Sequence, residues 1–240
     1  MSPWLNFGFI IAGQFVVLLL ILRLQKVGVA AALPVIWRSL LLGIPLGLVY
    51  DYFIGHGQSI FVYRGMPDSW LFTFANGALS YGLAIAAARF IPFSLERLSG
   101  HQVRLVGAGI LAFTLLAVLL YLQVEMPILP SMFMFGAALI LASEGLAVVA
   151  GFSGPVLSIL RGRIFPLAKI WLYGVIIGAA YELLNYVFPL WHWVLADSHP
   201  PLVVEALVIG LGYTALFLPM VLISHLLIRF NRPTDEKDTA

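Results

Sequence analysis

Two acidic side chains end the same short pattern in this sequence. Gly43 to Asp51 and Gly174 to Glu182 both read G-x-x-x-G-x-x-Y followed by an acid. Glu182 lies between IWLYGVIIGAA and PLWHWVLA, an almost wholly apolar setting. An ionisable group at the centre of a membrane helix costs about 2.5–3.5 kcal/mol to insert, so two of them at matching positions suggest a shared site. A carboxyl in an apolar, partly dry pocket keeps its proton and becomes a general acid at neutral pH. A second carboxylate nearby takes a proton back. Aromatic residues surround both acids: Tyr50, Tyr52, Phe61, Tyr63 and Trp70 in the first copy, Tyr181, Tyr186, Trp191 and Trp193 in the second. Aromatic faces stabilise cations and hold apolar chains. An acid beside an aromatic cage is what protonating an alkene and handling the resulting carbocation requires. The simpler readings are an interfacial aromatic belt, close helix packing through the paired glycines, and an Asp51 that reaches out to water.

Other polar residues belong to the same question. Asn185, three positions after Glu182, shares its helix face; it either orients the carboxyl or satisfies itself against neighbouring backbone. Asn76 has the same two readings. Glu144, in ILASEGLAV, reads as paired with another polar group inside the bundle. Asp68 and Glu205 each stand near the start of an apolar run. His56, His192 and His199 fall in loops, and their spacing makes no recognisable metal site. The chain has no cysteine, so neither disulfides nor thiol chemistry enters. It has no D-x-x-x-D or D-D-x-x-D, the aspartate-rich magnesium sites of a prenyltransferase. No metal and no cofactor is called for.

The elements that must position these residues follow from composition. Of 240 residues, 62% are hydrophobic and 10% charged, against roughly a quarter charged in soluble domains. Apolar runs long enough to cross a bilayer recur at about 5–22, 34–54, 69–88, 104–122, 130–151, 167–188 and 203–228. Strand-type alternation is absent, so the expectation is an all-α bundle of seven transmembrane helices rather than a barrel. The first run lacks a basic leader and a small-residue cleavage site, and reads as a retained helix. Arg23, Lys26, Arg38, Arg89, Arg97, Arg104, Arg161, Arg163, Lys169, Arg229, Arg232 and Lys237 fall on one side of that bundle and only Arg64 on the other. The positive-inside rule then puts the N-terminus outside and the C-terminus inside. Asp51, Glu182, Asp68 and Glu205 come to similar depth near the outer face, with Glu144 deeper.

The two copies run in the same direction. They give a parallel 3+1+3 repeat: halves at about 5–92 and 130–228, a linker helix at about 104–122, one membrane domain over 1–228, and a polar tail at 229–240.

An acid on a membrane helix, then an aromatic W-x-Y-like element, then P-x-E-E at the next helix start resembles the integral-membrane lycopene cyclases of the heterodimeric, fungal and archaeal type. The first half here is Asp51, IFVY (Ile60 to Tyr63) and MPDSWLF (Met66 to Phe72); the second is Glu182, WHWV (Trp191 to Val194) and PPLVVEAL (Pro200 to Leu207). The departures are Asp68-Ser69 in place of the glutamate pair, Glu205 one residue further from Pro201, and Phe61 in place of Trp. They put lycopene itself in doubt as substrate. The resemblance implies a redox-neutral cyclisation in a bacterial or archaeal cytoplasmic membrane, on an isoprenoid drawn from the bilayer. Glu182 or Glu205 would be the acid and Asp51 the base or electrostatic partner. Tyr50, Tyr181, Phe61, Tyr63, Trp70, Trp191 and Trp193, with Asn185, Asn76 and Asp68, would hold the substrate. Seven-helix terpene cyclases are similar, and carotenoid hydratases quench the same cation with water. Partners would be membrane lipids, further copies or neighbouring biosynthetic enzymes, not nucleic acid.

The main rival is a small proton-coupled transporter with the same 3+1+3 arrangement, although the proline-glutamine dipeptide of such transporters is absent. A retinal-type receptor is excluded by the lack of a lysine in the seventh run. A purely structural or assembly protein is the third class.

Overall fold

The computed structural model describes residues 2–51, 61–63, 70–93, 95–98, 100–121, 124, 128–193 and 212–228. Helix α1 (Pro3–Leu24) starts with the Ser2 hydroxyl accepting from the Leu5 N–H and with proline at its first position, where the missing N–H costs nothing. Helix α2 (Val29–Gly47) runs on through a π-helical turn at 48–51 that carries Asp51. After strand β1 (Phe61–Tyr63), helix α3 consists of Trp70–Asn76, a π-helical stretch Gly77–Tyr81, and Gly82–Phe90. Then come β2 (Glu96–Arg97), α4 (His101–Tyr121), α5 (Ile128–Val149), β3 (Phe152–Ser153), the short α6 (Pro155–Leu160), α7 (Phe165–Val187), β4 (Trp191–Trp193) and α8 (Tyr213–Leu227).

Five of these helices, α1 to α4 and α7, are long and apolar enough to cross a membrane. Burial agrees with that solvent. Leu105, Phe113, Leu116 and Leu120 on α4 are exposed, a face far larger than soluble monomers leave open. Asn6, Gln14, Ser39, Asp51, Asn76 and Glu144 are buried. Apolar outside and polar inside is the distribution that hydrocarbon selects. The chain is an all-α membrane protein.

Helices α3 and α8 form the centre. The α3 helix packs on α1 and α2, α8 packs on α5 and α7, and the two touch each other. The Arg89 Nε donates to the Ile228 carbonyl at 2.8 Å, tying their ends together. The α4 helix packs chiefly on α5. The paired glycines do what small residues do in membrane helices. A methyl group at Gly43 would run into the backbone of Gly77 and Gly82, and one at Gly178 into the Tyr213 ring.

Two small antiparallel ladders sit at opposite ends of the bundle. At one end β1 pairs β4, with Phe61 opposite Trp193, Val62 opposite His192 and Tyr63 opposite Trp191. The aromatic loops that follow the two acids are thus bonded to each other. At the other end β2 pairs β3, and Glu96 meets Arg161 at 3.4 Å and Arg163 at 3.1 Å with all three side chains exposed. Such pairs add little stability.

Glu144 is buried and paired, but its partner is not the polar group inside the bundle that the sequence suggested. Its Oε1 accepts from the Leu157 N–H at 2.8 Å and its Oε2 from the Val156 N–H at 3.2 Å. It caps α6, the short helix linking α5 to α7, whose first N–H groups have no intrahelical acceptor. We expect Glu144→Ala to lower stability by about 1–3 kcal/mol, the cost of stranding buried donors. Glu144→Gln, which keeps one acceptor, should cost less. Thermal unfolding of the three proteins in the same lipid discs measures both, and equal losses would show that the cap is not the cause.

Candidate functional site

Asp51 is buried at the end of α2, where the π-helical turn lets its side chain meet α3 and β1. Its Oδ1 accepts from the Tyr81 hydroxyl at 2.8 Å and from the Tyr63 hydroxyl at 3.0 Å, and its Oδ2 accepts from the Asn76 amide at 2.7 Å. Asn76 also donates to the Tyr63 oxygen at 2.8 Å. Asn76 precedes the π-helical stretch of α3 and Tyr81 ends it. The wider turn there changes the angle between them, a device frequent at functional sites. Tyr63 comes from β1, outside the spanning helices. Burial first, and the Asp51 charge second, hold its phenol well above the ordinary value, so it remains a donor.

The second copy repeats the central contact. The Tyr213 hydroxyl, at the start of α8, donates to Glu182 Oε1 at 2.8 Å. In each copy the tyrosine before the acid touches the tyrosine that bonds it. Tyr50 stacks on Tyr81 with centroids 5.4 Å apart, and Tyr181 meets Tyr213 edge-on at 6.3 Å.

The two tyrosine–carboxylate pairs flank a cavity of about 100 Å³. Tyr63, Asn76, Ser80 and Tyr81 line it from β1 and α3, with Ile10 and Gln14 of α1. Tyr181, Trp191, Tyr213 and Phe217 line it from α7, β4 and α8. Asp51 and Glu182 are not on the wall; the phenols that bond them are. For scale, an apolar cavity of about 150 Å³ takes up benzene, so this one suits a small hydrocarbon group or the end of a longer chain.

Of the residues singled out from sequence, Asp51, Tyr63 and Asn76 meet in one cluster. Tyr181 and Trp191 share the cavity with Tyr63 and Asn76. Tyr50 is buried behind the wall, its hydroxyl donating to the Leu216 carbonyl at 3.4 Å. Asn185 takes the backbone alternative. Its oxygen accepts from the N–H groups of Leu190 and Trp191 at 2.9 and 3.0 Å, and its amide donates to the Trp191 carbonyl at 2.9 Å. It fixes the turn that presents Trp191 and does not orient Glu182 through these bonds. Tyr186, 86% exposed, is no part of a cage. Tyr52, Asp68 and Glu205 lie outside the described residues, as do His56 and His199, and of Phe61, Trp70 and Trp193 only the backbone is described. Tyr81, Tyr213, Gln14 and Ser80 escaped the sequence reading. A usable signal existed for the tyrosines: Tyr81 follows Asp51 by 30 positions and Tyr213 follows Glu182 by 31.

No family model, curated protein or solved structure matches this chain.

The Asp51 cluster has a direct test. Asp51→Leu strands the Tyr63, Asn76 and Tyr81 donors, at about 1–3 kcal/mol for each buried group, and should leave little folded protein. Asp51→Asn keeps an acceptor and should fold. Monodisperse yield after extraction, with thermal unfolding of what survives, separates the two, and a stable Asp51→Leu protein would remove the cluster's structural importance.

Proposed function

We propose that this chain spans the membrane seven times, N-terminus outside and C-terminus inside, as two parallel three-helix halves joined by α4, and that it cyclises an isoprenoid by acid catalysis. The observation that carries the reading is the cavity between the halves, walled by aromatic and aliphatic side chains, with one tyrosine–carboxylate pair from each half at its edge. The corresponding packing of α3 on α1 and α2, and of α8 on α5 and α7, supports the repeat. So does the antiparallel meeting of β1 with β4, which a two-fold relation between equivalent loops produces.

The proton steps balance without a redox partner. In its acid form Glu182 would reverse its bond with Tyr213 and donate to the Tyr213 oxygen. Its proton passes there as the Tyr213 proton goes to a terminal alkene carbon, leaving a tertiary cation. A second double bond of the substrate attacks that cation and closes the ring. The new cation loses a proton to the Tyr81 oxygen while the Tyr81 proton moves to Asp51. Asp51, with three donors directed at it, is built as the acceptor of this cycle. Transfer of the proton back to Glu182 through water resets the enzyme. The faces of Tyr181, Trp191 and Phe217 stabilise the cations. On this reading Tyr213 and Tyr81 touch the substrate, and the carboxyls act through them.

Expression in a bacterium that accumulates lycopene, followed by chromatography and mass analysis of the pigments, tests the chemistry. The expected product is a new species of unchanged mass, lost in Tyr213→Phe and Glu182→Gln. A gain of one water would mean a hydratase. Unchanged pigment, repeated with shorter terpenoids and with the protein confirmed in the membrane, would sink the cyclase and favour proton-coupled transport.

Topology has its own test, which the cysteine-free chain makes simple. An impermeant maleimide added to intact cells should label Val62→Cys, and should label Arg163→Cys only after lysis. The reverse pattern would invert the orientation.

A further inference from the structure

Gln14 is the polar residue on the cavity wall whose bonding is incomplete. It is 3% exposed, lines the cavity from α1, and donates from Nε2 to the Ser80 Oγ at 2.7 Å. Its Oε1, fully shielded from water, has no partner among the described residues. A buried amide oxygen without a donor is costly, and native interiors rarely tolerate one without a purpose. Ser80, also on the cavity wall, takes the Gln14 amide on its oxygen. Its own proton has no acceptor among the described residues. With the two amide atoms of Gln14 exchanged, the Ser80 proton would go to the Gln14 oxygen and an amide N–H would be left open, a donor that an alcohol oxygen also fills.

An unfilled acceptor beside an unfilled donor complements one common group: an alcohol, which donates one hydrogen bond and accepts another. An ether or a carbonyl accepts only, and a hydrocarbon does neither. We infer that the cavity takes an isoprenoid carrying a hydroxyl group, held by Gln14 Oε1 as acceptor and the Ser80 hydroxyl as donor. The isoprenoid part rests on the function proposed above; the hydroxyl part rests on Gln14 and Ser80 alone. Both residues come from the first half, so they would set which end of the ligand lies beside Asp51 and which beside Glu182.

The test uses the full chain in lipid discs with farnesol, farnesyl methyl ether and farnesene, binding being read from the shift in unfolding temperature against ligand concentration. The three partition differently into lipid, so each is compared with itself between wild type and variant. Gln14→Leu should weaken farnesol by about tenfold or more, the effect of losing one bond to a buried acceptor, and leave the ether and hydrocarbon unchanged. Ser80→Ala, which leaves the Gln14 oxygen in place, should weaken farnesol and the ether alike and spare farnesene. Should Gln14→Leu fold poorly, Gln14→Met serves in its place. Equal loss of all three ligands in the Gln14 variant, or farnesol binding that Gln14→Leu leaves unchanged, would overturn the inference. Product analysis on the same samples separates the two ideas. Gln14-dependent farnesol binding without any isomer formed would support the alcohol site and remove the cyclase. Cyclisation of farnesene that is indifferent to Gln14→Leu would overturn the alcohol site and leave the cyclase.

Discussion

A carboxylate inside an apolar bundle must be met by donors from the protein itself, because the surrounding hydrocarbon supplies none. Much of the architecture around Asp51 follows from that constraint. Three donors reach it from three places on the chain: β1, the α3 residue just before the π-helical stretch, and the end of that stretch. For α3 to lie close enough, α2 must present bare backbone, which Gly43 does against Gly77 and Gly82. For Tyr63 to arrive from a loop, β1 must be held, and it is held by β4, which follows α7. Glycine motif, helix irregularity and interlocked loops are parts of one solution to a solvation problem.

The second copy solves the same problem by a different route. Glu182 keeps the tyrosine of the following helix, and Gly178 lets the Tyr213 ring lie against α7. Among the described residues no amide answers to Asn76 in this contact; Asn185 holds the turn into β4. Asp51 is buried where Glu182 is half-buried. The two carboxyls are thus surrounded differently. A proton cycle with a giving side and a taking side needs such a difference, since two identical sites would have no direction.

The sequence shows these features unevenly, for physical reasons. Apolar runs, the glycine spacing and the acid after tyrosine are local in the chain, so composition and periodicity reveal them. Donor identity is a tertiary property. Tyr81 and Tyr213 sit on apolar helices where a tyrosine reads as core or belt, and only their similar distance from Asp51 and Glu182 marks them out. Glu144 shows the opposite failure. Its burial was evident from ILASEGLAV, but a backbone partner on a six-residue helix leaves no side-chain signature. Gln14 was invisible because one glutamine in a membrane helix has no pattern to belong to.

That lack of pattern is itself informative. On the proposed reading, Asp51 with Tyr81 and Glu182 with Tyr213 are features that a duplicated chain inherits in pairs. The Gln14–Ser80 pair couples α1 to the π-helical stretch of α3, and no matching contact joins α5 to α8 among the described residues. A cavity formed between two copies of one unit begins symmetric and would accept an asymmetric chain either way round. A polar contact present in one half alone removes that ambiguity, because reversing the ligand would move its hydroxyl away from Gln14 and leave the amide oxygen unfilled. On the proposed reading, the acids supply the chemistry that both halves share, and α1 supplies the polarity that tells the substrate which half is which.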